Sequence, residues 1–228
     1  IYINDINQSE IKNEYYLKNY TNKIKLFWEE DLTSTACMFY HSEYYEIDFS
    51  GFNTSKVSNM FSMFYGSDNL KSLDLSNFNT LRVTSMRQMF FGCIKITSLN
   101  LKSFDTSNVK YMGHMFRNCS SLLSLDLSSF NTSKVIDMQS MIECELVTTL
   151  NLSNFDTSQV TNMNFMLSYS SSLISLDLSN FDTSEVENIQ WMFYNCSKLI
   201  SLNLSNFNIP KCKDMSQMFF NCSSLISL

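Results

Sequence analysis

Glycine and proline are almost missing from this sequence, with four and one among 228 residues. Turns must therefore be made mostly by Asn, Asp and Ser, whose side chains bond their own backbone. No Lys/Arg cluster occurs along the chain, and the net charge is −6 with a pI near 4.9, so nucleic acid is not an expected partner. No apolar run approaches the roughly 18 residues needed to cross a bilayer, and no membrane insertion is expected. The histidines are only His41 and His114, and no two cysteines are spaced C-x-x-C, so neither a metal site nor a cofactor is in prospect. The chain opens at Ile1 and stops at Leu228, midway through an apolar pattern. It reads as a fragment of something longer, in which missing targeting signals carry no weight.

What the sequence does have is a period. Phe52, Phe78, Phe104, Phe130, Phe155, Phe181 and Phe207 follow one another in steps of 26, 26, 26, 25, 26 and 26 residues. All 14 methionines fall in two columns of that repeat. Met60, Met86, Met112, Met138, Met163 and Met215 form one, with Ile189 completing it. Met63, Met89, Met115, Met141, Met166, Met192 and Met218 form the other, joined by Met38 in a degenerate repeat before Phe52. A fixed period of this size means a solenoid or another repeat array. Unbranched thioethers spaced three apart, beside Val and Phe, read as a packing seam rather than a metal or partner groove.

Within residues 52–77, Val57, Met60, Met63 and Phe64 share one helical face. Thr54 or Ser55 precedes them as an N-cap, Ser184 and Glu187 form a capping-box pair in a later repeat, and Gly66 marks the stop. Leu73 and Leu75 then alternate with Ser72, Asp74 and Ser76, the pattern of a short strand with one buried face. The expected fold is an α/β right-handed solenoid with one short parallel strand and one short helix per 26-residue repeat. Residues 1–36 are expected to cap it, through a helix over 10–20 and a strand ending near Trp28; a partial repeat over 37–51 leads into the full ones. Met141 to Leu150 is one residue short and should kink the array, and Pro210 is placed to begin a helix where hydroxyl caps are lost.

Of seven cysteines, Cys93, Cys119, Cys144, Cys196 and Cys222 share a column in which Ser67 and Ser170 also occur. A small buried side chain explains that column best, with a stacked disulfide or a redox role as the alternatives.

The motif L-x-x-L-(D/N)-L-S-x-F-(D/N)-T-S-x-V-x-x-M-x-x-M-F-x-x-C is carried by segments such as LDLSSFNTSKVIDMQSM and LNLKSFDTSNVKYMGHMFRNC. It resembles the BspA-like leucine-rich-repeat surface proteins, in their 26-residue-repeat branch, over about residues 32–228. The resemblance implies a leucine-rich-repeat-like solenoid displayed on the cell surface or secreted, with roles in adhesion and in binding host or matrix partners. It brings no catalytic residues, and no nucleophile–base pair recurs in the repeat, so an enzyme is not expected.

Function then falls to the outward columns. Asp74, Asn100, Asp126, Asn151, Asp177 and Asn203 alternate acid and amide along the stack, beside Lys102 in a column otherwise of serine. Two readings stand: charge balancing in a polar ladder, where stacked carboxylates would repel, or a weakly acidic groove for a glycan, a cation or a basic protein patch, with a single-carboxylate column a poor match for Ca²⁺. Phe165 and Trp191, neighbours in a variable column, are either a partner anchor or mutual surface packing; His114 in the same column reads as a surface residue. The two functional expectations are a recognition or adhesion module binding protein or glycan, and a passive spacer that displays another domain.

Overall fold

The computed structural model describes residues 32–227, together with the backbone of three short strands nearer the N-terminus. Strands β1 (Tyr2–Ile3) and β2 (Ile6–Asn7) pair antiparallel. Strand β3 (Lys23–Phe27) runs parallel to β4 (Glu46–Gly51), with Ile24 opposite Ile47. The "KIKLF" segment is thus a strand, as its pattern indicates, whereas the helix expected over 10–20, and Trp28, lie outside the described residues. Strands β5 (Ser175–Asp177) and β6 (Ser201–Asn203) form a second parallel pair.

No helix occurs among the described residues, and the expected α/β solenoid with a helix in each repeat is overturned. A helix needs each N–H to bond the carbonyl four residues back along its own turn. Here the N–H groups leave the coil instead. Met60, Ser62, Phe64 and Gly66 donate to Ser85, Arg87, Met89 and Phe91 of the next coil, at 3.0, 2.9, 2.9 and 2.7 Å. The intervening Met63 and Tyr65 close tight turns onto Met60 and Ser62. Two residues per coil are left-handed, at Ser62 (φ 52°) and Gly66 (φ 63°), and the pattern recurs at Gln88 and Gly92, His114 and Asn118, Trp191 and Asn195. Left-handed residues inside the segment forbid a helix. Consecutive three-residue turns nevertheless place Val57, Met60, Met63 and Phe64 on one face, all wholly buried, so the same spacing serves a different backbone. The strand of each repeat is corrected as well: at the leucine columns, ladder pairing occurs in β4, β5 and β6, while a row of parallel bridges runs from Ser34 through Asn59, Ser85, Tyr111, Asp137, Asn162 and Asn188 to Asp214.

The residues read as helix caps have other tasks. Thr106 is buried; its Oγ1 donates to the Asn131 carbonyl and accepts from the Asn131 N–H, both at 2.8 Å. Thr54, Thr132 and Thr183 clasp the following coil in the same two-bond way. Glu187 is not a capping partner of Ser184: its carboxylate pairs with Lys213 one coil on. Pro210 opens a turn closed by the Cys212 N–H onto the Ile209 carbonyl (3.1 Å), the position where its fixed φ fits.

Asn and Asp do make the turns, as the shortage of Gly and Pro requires. Asn53, Asp105, Asn131 and Asp156 each accept, through Oδ1, the backbone N–H two residues on. The cysteine column is free thiol. Cys93, Cys119 and Cys196 donate to Phe64, Phe90 and Leu167 carbonyls of the preceding coil at 3.2 Å, and Ser67 does the same to Phe39 at 2.7 Å. A hydroxyl and a thiol are interchangeable there because both are small, and Ser67 keeps the bond that the thiols make. Both methionine columns, apart from the exposed Met215 of the last coil, and two phenylalanine ladders form the continuous core, with Phe39, Phe64, Phe90 and Phe116 stacked 5.5–5.7 Å apart.

The short repeat, residues 130–154, lacks the second left-handed residue. The Glu143 N–H turns back to the Phe116 carbonyl (3.4 Å), and Leu150 is partly uncovered where its counterparts Leu125 and Leu176 are buried.

Candidate functional site

Alternate residues of the leucine segment point inward, which leaves Ser, Thr, Asp and Asn on the outer face of each coil. Asp74, Asn100, Lys102, Asp126, Asn151, Asp177 and Asn203 are all exposed. Each acid or amide holds the same local bond: Oδ1 of Asp74, Asn100, Asp126, Asn151, Asp177 and Asn203 accepts the N–H two residues later, at 2.9–3.3 Å. Because Asp and Asn perform this identically, the column tolerates either. The bonds from Ser76 and Ser128 hold the Asp74 and Asp126 carboxyls below the usual range, as do those from Ser179 for Asp177.

Where the short coil meets the next, this face opens into a shallow depression of about 450 Å³ lined by Thr149, Asn151, Ser153, Ser175, Asp177 and Asn180. Two of the sequence-nominated residues, Asn151 and Asp177, thus share one concavity. Asp74, Asn100, Lys102, Asp126 and Asn203 lie elsewhere in the column, outside its lining. The depression offers hydroxyl and amide donors and acceptors and one carboxylate, over the leucine backbone of the coil.

Phe165 and Trp191 do meet, with ring centroids 5.0 Å apart, and Tyr194 adds a third ring 5.0 Å from Trp191. Both are half-buried and both sit at left-handed φ, 56° and 63°. They pack on each other along the stack.

His114 is not a surface residue: it is 7% exposed, and burial together with Arg87 and Arg117 pushes its pKa down to about 4. The two arginines are tied across coils. Arg87 reaches Asp137 at 2.5 Å over the intervening Gly113, where a Cβ would stand 2.8 Å from the Asp137 carboxylate. Arg117 pairs with Glu143 at 3.1 Å and lies over the Phe91 ring. Sequence reading misses this network because its partners are up to 50 residues apart. Gly113, the one glycine in its column, was the available signal.

The buried thiols offer no nucleophile: burial pushes Cys119 and Cys196 up to about 12. Among the described residues no group of three or more His, Cys, Asp or Glu is placed to hold a metal ion. No helix among them is long and apolar enough to cross a membrane.

Residues 30–146 and 122–227 match the DUF285 family, described as a Mycoplasma protein of unknown function. The chain belongs to the DUF285 family. No curated protein and no solved structure matches it. Within this DUF285 chain the two matched segments together span the coils that carry the depression, the aromatic cluster and the buried ion pairs.

Proposed function

We propose that this chain is a non-catalytic recognition module, displayed on a cell surface, that binds a neutral glycan in the depression between Asn151 and Asp177. One observation carries the reading: beside the short coil of residues 130–154 the polar face forms a concavity lined by hydroxyls, amides and one carboxylate. Such a lining matches the donors and acceptors of sugar hydroxyls, and the Oδ1-anchored turns hold it in place before a ligand arrives. Surface display is supported by the resemblance of the repeat motif to BspA-like surface proteins. Glycan-array screening followed by calorimetry of the best ligand tests the proposal. Asp177→Ala should weaken that ligand about five-fold or more, the value of one hydrogen bond. Equal binding by the variant, or no glycan retained by the folded protein, overturns it.

A second reading, a spacer displaying another domain, is favoured by the unbroken row of parallel bridges from Ser34 to Asp214. Such a row makes bending costly, because it must stretch hydrogen bonds in every coil. A single-molecule stretching trace with no resistance below the unfolding force would remove it.

A further inference from the structure

Cations that are scattered along the chain are gathered by the coiling. Lys56, Arg82 and Lys134 occupy one column, and Lys110 stands two residues along in the coil between Arg82 and Lys134. All four are exposed. Arg82 and Lys110 carry no ion pair among the described residues, and Lys134 Nζ donates only to the amide of Asn108 at 2.7 Å. In contrast, Lys211 and Lys213 of the last coil are each matched by a glutamate of the coil before. Asp137, next to the Ile136 whose N–H bonds the Lys110 carbonyl, is already bound to Arg87.

We infer that this basic stripe, on a different part of the coil from the Asn151–Asp177 depression, binds a linear acidic polysaccharide laid along the stack. Successive coils are roughly 4.8 Å apart, so the stripe offers one cation per coil at about that step, with Lys110 offset two residues from the column of the other three. A polysaccharide with one carboxylate per sugar unit presents charges at a comparable interval. Duplex DNA, with a charge every ~1.7 Å of axis, is a poorer match. A chain of net charge −6 also repels a dense polyanion more strongly than a sparse one.

The test is affinity electrophoresis and calorimetry of the whole chain against polygalacturonate, neutral dextran and a single-stranded oligonucleotide. Wild type should bind polygalacturonate, ignore dextran, and lose affinity with salt at a log–log slope of roughly −2, as for about three released counterions. The triple variant Arg82→Gln, Lys110→Gln, Lys134→Gln should lose at least ten-fold with unchanged thermal stability. Lys211→Gln with Lys213→Gln should retain wild-type binding. Should the triple variant fail to fold, each single variant must still lose two-fold or more. Binding equal to dextran, indifference to the triple change, or tighter binding of the oligonucleotide each overturns the assignment. Neither outcome touches the glycan proposal, which Asp177→Ala tests separately.

Discussion

Replacing Thr106 by valine tests the central claim that the threonine column joins coils rather than capping helices. The substitution keeps the volume and removes one oxygen. That oxygen both donates to the Asn131 carbonyl and accepts from the Asn131 N–H, at 2.8 Å each. Two net hydrogen bonds at about 1 kcal/mol each, with a partial desolvation penalty for the orphaned peptide groups, give a loss of about 2–4 kcal/mol. Thr106→Ser keeps the oxygen and loses a methyl group, at about 1 kcal/mol. Urea titration followed by circular dichroism and by tyrosine fluorescence should therefore place the Val variant well below the Ser variant. With an m-value of ~2–3 kcal/mol/M, the Val midpoint should fall by about 1 M. A helix N-cap predicts only ~1 kcal/mol for the loss. The clasp is refuted if Val and Ser variants unfold at the same midpoint.

Other outcomes follow from the same geometry. Ser140→Gly should stabilise by up to about 1 kcal/mol in a thermal melt, since Ser140 is left-handed (φ 48°) with a buried, unbonded hydroxyl; in a helix it would cost about as much. Gly113→Ala should break the Arg87–Asp137 pair that its missing Cβ admits, lowering stability by about 1–3 kcal/mol, and a crystal structure of the variant should show Arg87 displaced. His114 is neutral in the fold, with a pKa lowered to about 4 from its ordinary 6.5. The unfolded chain therefore binds the extra proton first, and stability is lost as pH falls from 6.5 towards 4, on the order of 3 kcal/mol; His114→Gln should flatten that limb of a pH–stability curve. Met112→Asp should unfold the array locally, whereas Asp126→Asn should leave the melting temperature unchanged because Oδ1 is retained.

Much of this was legible in the residues. The period, the inward columns from Val57 to Phe64, the alternation around Leu73 and Leu75, and the small buried cysteines all emerge from hydrophobic spacing. The backbone did not, for a definite reason. An apolar face at i, i+3, i+4 is produced equally by a helix and by successive tight turns, and only the sign of φ separates them. Gly66, Gly92 and Asn118 signal left-handed positions, but they sit where a helix C-cap would also place them. The other left-handed column holds Ser62, Gln88, His114, Phe165 and Trp191, none of them the Gly or Asn that would announce that conformation. They adopt it because neighbouring coils supply the hydrogen bonds, a benefit invisible to any local pattern. The missing residue near Glu143 was readable from the period, but not the polar concavity beside it, which arises only when two coils are stacked.

The direction of the inter-coil bonds has a hereditary consequence. From Met60 to Gly66 every outgoing N–H serves the next coil, and every incoming one at Phe61, Met63 and Tyr65 carbonyls comes from the coil before. Each coil is thus a plug and a socket of one shape, whatever side chains it shows to solvent. A gene segment encoding one whole unit can be duplicated or lost and the remaining units still mate. Losses of single residues meet a stricter rule, since they must fall where a turn can be dispensed with, as beside Glu143. Length in such a protein changes in whole coils, while its outer columns are free to diverge.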